Sequence, residues 1–162
     1  MLKPWANAGL WQAMSINTLP RPVIVLGLSG IVPQIACLVA VLLWPEWRWV
    51  ALAAACFYAA LIFSFLGGLW WMQALVKDER RWQPYLLSVV ASIGGWIALL
   101  PWCLGWTWPG PALLALGLAV LLSPMADRRL AAYLPVPTGW LQLRAMMATG
   151  LGVLTLILGL IA

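Results

Sequence analysis

Residues 50–76 read VALAAACFYAALIFSFLGGLWWMQALV, without one Asp, Glu, Lys or Arg. Crossing the hydrocarbon of a bilayer takes about 20 consecutive apolar residues in a helix, and a water-soluble chain rarely offers such a run. Four further apolar runs occur at about 23–43, 85–103, 111–126 and 141–161. The expectation is an all-α, polytopic integral membrane protein with five transmembrane helices in one bundle. The second run exceeds the bilayer and should tilt or protrude. The fourth is short, so its ends should lie in the interface. Residues 1–22 read as an N-terminal cytoplasmic or interfacial segment, and 23–162 as the transmembrane domain. Pro4, Trp5, Trp11 and Pro20 break up that N-terminal segment, and the first run is too long for a signal peptide, so it reads as a retained span.

Composition agrees. Of 162 residues, 65% are hydrophobic and 8% charged, and the mean hydropathy is +0.98. Soluble domains are about a quarter charged, and a core this apolar could not be covered in water.

The net charge is +5. The cations lie between apolar runs and are not interleaved with aromatic residues on a soluble face. They therefore mark topology and anionic-lipid contact rather than nucleic-acid binding. Lys3, Arg21, Lys77, Arg80, Arg81, Arg128, Arg129 and Arg144 fall on one side of a five-span chain, and Arg48 alone on the other. By the positive-inside rule the N-terminus is cytoplasmic and the C-terminus outside, as expected of a bacterial inner (plasma) membrane protein.

Histidine is absent, which removes the commonest metal ligand, haem ligand and proton switch. Glu46, Asp78, Glu79 and Asp127 lie in or beside loops, which disfavours ion-coupled transport. Ser64, Ser88 and Ser92 have no base to activate them. Cys37, Cys56 and Cys103 are widely spaced and should be free, buried thiols. The expectation is no catalytic residue, no metal site, no cofactor and no enzyme activity.

The thirteen tryptophans sort by side. Trp44, Trp47, Trp49, Trp102, Trp106 and Trp108 fall on the outer face, with Trp82 and Trp140 at the inner boundary. An aromatic belt explains indoles at headgroup level. So many on one face also fits a docking surface.

Small residues recur at four-residue spacing: Ala60, Ser64 and Gly68; Ser88 and Ser92; Ala91 and Gly95; Ala148 and Gly152. Such stripes let membrane helices approach closely. Gly67 and Gly68 should form a flat patch against the third span. One of Trp70 and Trp71 would fold over the space left and the other would face lipid. The same feature also reads as a cavity floored by glycine and walled by indole, for a flat apolar ligand. Gln34 follows Pro33, whose ring opens the helix one turn back, so Gln34 can satisfy freed backbone or serve as a handle in a cavity. Arg144 can snorkel to the inner surface or pair with Asp127.

Several segments resemble, in order, an uncharacterised bacterial and mitochondrial membrane family that includes human transmembrane protein 69. They are GLSGIVP (27–33), FYAALIFSFLGGLWW (57–71), SVVASIGGW (88–96), ADRRLA (126–131) and LQLR (141–144). The chain departs from that pattern at Trp70, Met72 and Ala91, where members tend to carry histidine, glycine and proline. The resemblance implies the fold and no established activity. A weaker similarity of architecture links the chain to the tryptophan-rich sensory or translocator proteins, which bind tetrapyrroles and sterol-like ligands.

The functional expectation is binding or passage of a small lipophilic molecule such as a tetrapyrrole, quinone, isoprenoid or lipid. The candidate ligand-binding residues are Gln34, Tyr58, Gly67, Gly68, Trp71 and Trp96. The alternative is an accessory or assembly subunit of a larger membrane complex, with a membrane partner or a second copy of the chain meeting the small-residue stripes or the tryptophan face.

Overall fold

The computed structural model describes residues 19–106 and 109–162. The expected N-terminal segment up to residue 18, with Lys3, Trp5 and Trp11, and Trp108 lie outside the described residues. Among the described residues six α-helices follow in order: α1 Arg21–Ser29, α2 Val32–Leu43, α3 Arg48–Val76, α4 Trp82–Leu104, α5 Gly110–Ala131 and α6 Trp140–Ile161, with a 3-10 turn at Pro45–Trp47. No strand occurs among the described residues. Because α1 and α2 together make one broken span, five helical segments among the described residues are long and apolar enough to cross a membrane.

The break in the first span is a difference from the continuous helix expected. Pro33 has no N–H, and its ring would collide with the carbonyl four residues back. The chain therefore turns at Gly30 and Ile31, and the Gln34 amide bonds Ile31 O instead of Gly30 O. The freed Gly30 carbonyl accepts a hydrogen bond from the Tyr58 hydroxyl at 2.6 Å. Tyr58, not Gln34, thus satisfies the opened backbone.

The α5 helix is longer than the 111–126 expected, with 22 residues. It continues through Pro124, which cannot bond Val120 O. The Ser123 hydroxyl donates to that carbonyl at 2.8 Å and keeps it paired. Asp127, Arg128 and Arg129 are therefore helical rather than in a loop. With 29 residues, α3 is roughly 43 Å long at 1.5 Å per residue, against a hydrocarbon core of about 30 Å. The excess length matches the sequence expectation.

Helices α3 and α4 lie antiparallel, with Ala60 opposite Gly95 and Gly67 opposite Ser88. So do α5 and α6, with Gly110 opposite Gly159 and Gly117 opposite Gly152 and Leu156. The core is built from small side chains (Ala51, Ala55, Ala59) with Leu52, Leu113 and Leu116 in one half, and Leu66, Trp70, Leu130 and Leu134 in the other. Large residues such as Leu26, Leu61 and Leu160 point outward. That inversion suits a bundle whose solvent is lipid, where packing rather than water exclusion joins helices. Of the cysteines, Cys56 is buried and Cys37 half-buried, but Cys103 is exposed, contrary to expectation; all three are free. It sits in the last turn of α4, just before the left-handed Gly105 that ends the helix at φ +68°.

Candidate functional site

The polar residues gather at the end of the bundle that carries the cations. Trp70 on α3 is buried, and its indole N–H donates to Asp127 Oδ1 at 2.7 Å. The Arg144 Nε on α6 donates to Asp127 Oδ2 at 3.1 Å, and Nη2 lies 3.1 Å from the same oxygen as an ion pair. Both charged side chains are almost fully buried. One carboxylate therefore ties three helices together. Of the two roles open to Arg144, the structure shows the pair with Asp127. Asp127, expected beside a loop, is an interior residue because α5 extends past Pro124.

A second polar tie lies nearer mid-bundle. Gln34 on α2 is fully buried, and its amide Nε2 donates to Thr155 Oγ1 on α6 at 2.8 Å, with Ala55 O on α3 at 3.5 Å. Its Oε1 has no hydrogen-bond partner among the described residues. The Thr155 hydroxyl donates in turn to Leu151 O at 2.7 Å.

Between these ties lies an apolar cavity of about 340 Å³. Its walls are helical stripes: Val23, Leu26 and Gly27 on α1, continued by Gly30 in the turn that follows; Ile62, Phe65, Leu66 and Leu69 on α3; Leu143, Met147, Ala148 and Leu151 on α6. Each stripe repeats at three and four residues, the spacing of one helix face. Arg144 and Trp140 stand at its cation-rich end, and Val120 of α5 lies on its inner side. Leu26 is 71% exposed and Phe65 59% exposed, so the cavity opens sideways onto the lipid-facing surface. Asp127 neutralises Arg144, and the rest of the lining is almost all hydrocarbon.

The six residues singled out from the sequence are not brought together, and none lines this cavity. Gln34 lies in the mid-bundle tie and Tyr58 holds the α1–α2 turn. Gly67 packs on α4, where an added Cβ would come 2.4 Å from Ser88 O. Gly68 faces open space, with nothing within 4 Å of an added Cβ. The two glycines therefore do not form one patch: they point about 100° apart on the helix, and only Gly67 faces α4. The small-residue stripe on α3 accordingly runs through Ala60, Ser64 and Gly67, with Ser64 Oγ donating to Ser92 Oγ at 3.1 Å. Trp71 is exposed and edge-on to Tyr85 at 5.0 Å between ring centres, while Trp96 is exposed at 60%. It is Trp70 that turns inward, toward a carboxylate rather than over a glycine gap.

Sequence reasoning missed the cavity lining on α1 and α6. The helical period of Val23, Leu26, Gly27 and Gly30 was a usable signal, but it names a face and not what the face meets. The pairing of Asp127 with Arg144 was visible as an option, and Trp70 as its third member was not.

The fold and its buried polar ties define a polytopic, helical membrane-embedded protein. The chain belongs to the family DUF3429, described as "protein of unknown function", whose model matches residues 19–161. Comparison with curated proteins and with solved structures gives no match.

Proposed function

We propose that the protein binds or passes a small, neutral lipophilic molecule, held in the cavity between α1, α3 and α6. The carrying observation is that cavity: apolar on three sides, laterally open, and closed at one end by an ion pair without net charge. Its volume of about 340 Å³ is at the lower end of ligand sites, which run roughly 300–1,000 Å³. That size favours a single isoprenoid or acyl chain, or one ring system such as a quinone head, over a tetrapyrrole. A charged headgroup buried there would lack a counter-charge, which is costly in an apolar medium. In this reading the protein is a binder rather than an enzyme, in a bacterial inner membrane with the cation-rich end cytoplasmic. A reporter fused to the C-terminus and found inside the cell would reverse that orientation. The likeness of the quoted segments to the group of transmembrane protein 69 belongs to the same reading.

The test is native mass spectrometry of the chain purified in mild detergent. It should carry about one lipophile per protein. Ala148→Leu, which fills the buried wall of the cavity, should lose it while the melting temperature holds or rises. A chain that runs bare, or a variant that keeps the same molecule, overturns the proposal.

A second reading has its own observation. Trp44, Trp47, Trp49, Trp102 and Trp106 are all exposed, and Trp49 and Trp102 stack at 5.9 Å. A surface of indoles at one end fits an accessory subunit that docks on a membrane partner. Stoichiometric partner bands in the same purification would favour it.

A further inference from the structure

A groove separate from that cavity runs between α4 and α5 at the cation-rich end, with a volume of about 620 Å³. Leu87, Leu122 and Met125 form its apolar length, and Gln83, Arg129 and Tyr133 its polar mouth. The Arg81 guanidinium lies over the Tyr133 ring, 4.7 Å from its centre. Arg81 has Glu79 at 3.8 Å, whereas Arg129 makes no ion pair among the described residues. The groove thus joins a hydrocarbon trough to a mouth that holds a planar amide and an uncompensated cation.

We propose that this groove holds one anionic phospholipid from the leaflet at the cation-rich end. Its phosphate would meet Arg129 and the rim of Arg81, its glycerol would lie near the Gln83 amide, and an acyl chain would lie along Leu87, Leu122 and Met125. Charge selects the headgroup. A zwitterionic choline lipid would bring a third cation to a mouth that already carries two arginines. An anionic glycerol headgroup brings none. Basic pockets between membrane helices are suited to such lipids, and each arginine near the surface is worth roughly fivefold in affinity. The chains matter as much as the head: a free phosphate would leave the trough empty and compete with water for Arg129 alone.

The experiment is native mass spectrometry of the full chain, titrated with phosphatidylglycerol and with phosphatidylcholine of the same acyl chains. Phosphatidylglycerol should be retained roughly fivefold better or more. Arg129→Gln should bring the two lipids to nearly equal retention, and Arg129→Lys should keep most of the preference. Arg128→Gln, which removes the same charge from the same helix end but not from the groove, should leave it unchanged. Melting curves of all three variants show whether each is folded. Equal retention by the unaltered chain overturns the proposal. So does an equal loss in Arg128→Gln and Arg129→Gln, which would mean diffuse surface attraction. Displacement by glycerol phosphate at the same concentration would show headgroup binding without the lipid. A dimer that forms without lipid and is broken by Arg129→Gln would assign the groove to a second copy of the chain.

Discussion

Two faces of α6 use glycine differently. Toward α5, added Cβ atoms on Gly152 and Gly159 would meet backbone: Gly117 O at 3.1 Å and Leu114 N at 3.0 Å. Toward α1 and the turn that follows it, Gly150 meets only the Ile31 side chain, nearest at Cδ1, 2.6 Å, and on α1 itself Gly27 meets Met147 Sδ at 3.1 Å. A backbone contact cannot yield, while a flexible side-chain end can swing aside. The α5 face is therefore a closed seam, locked at one end by Asp127 and Arg144. The α1 face is adaptable, and the cavity lies beside it. In a bilayer this contrast carries more weight than in water, because close packing is the main force between helices. A loosely packed helix marks where a lipophile can replace protein contacts.

The contrast breaks most sharply at the locked end. Asp127→Ala leaves Arg144 buried without its counter-charge, and loss of one member of a buried pair costs about 3–5 kcal/mol. Chemical denaturation in detergent should show that loss. The double variant Asp127→Leu with Arg144→Met should recover most of it, because no charge is left buried. A single variant within 1 kcal/mol of the unaltered chain, on the order expected of surface changes, would show the pair to be solvated.

A smaller effect separates adjacent glycines. Gly67→Ala forces a Cβ onto the Ser88 carbonyl and should cost about 1–3 kcal/mol through overpacking. Gly68→Ala meets nothing and should be neutral or stabilising, by up to about 1 kcal/mol of helix propensity. Equal melting temperatures for the two would mean that α3 is rotated from its described position.

The smallest effect belongs to the adaptable side. Tyr58→Phe deletes the bond to Gly30 O and should cost about 0.6 kcal/mol, the average for interhelical hydrogen bonds in a membrane protein. It should also speed hydrogen exchange around residues 29–31 while leaving exchange on α5 unchanged. Equal acceleration on α5 would show that the two faces of α6 are one cooperative unit.

Much of the architecture was legible because the bilayer simplifies the problem. A helix satisfies its own backbone, so length and hydropathy alone place a span. The same logic failed at 30–31 and at 126–131, where side-chain hydroxyls decided the outcome. Tyr58 stabilises a break, and Ser123 spares a helix that carries a proline. Neither partner is readable from local pattern, because Tyr58 lies in another span and Ser123 bonds only if the helix continues. For the site, small-residue spacing identified the α3 and α4 stripes to within one residue, but Gly67 and Gly68 are neighbours in sequence and face apart in space.

By itself the sequence determined the solvent, the number of spans, the clustering of cations at one end and the absence of histidine, since each depends on composition or on runs along the chain. Only the tertiary structure decided that Trp70, Asp127 and Arg144 meet, that the α5–α6 seam closes while α1 stands off, and that the cavity lies between α1, α3 and α6. Those facts depend on the rotation of each helix about its own axis. A nearly uniform apolar surface leaves that angle undetermined until backbones touch at glycine and buried polar groups find their partners.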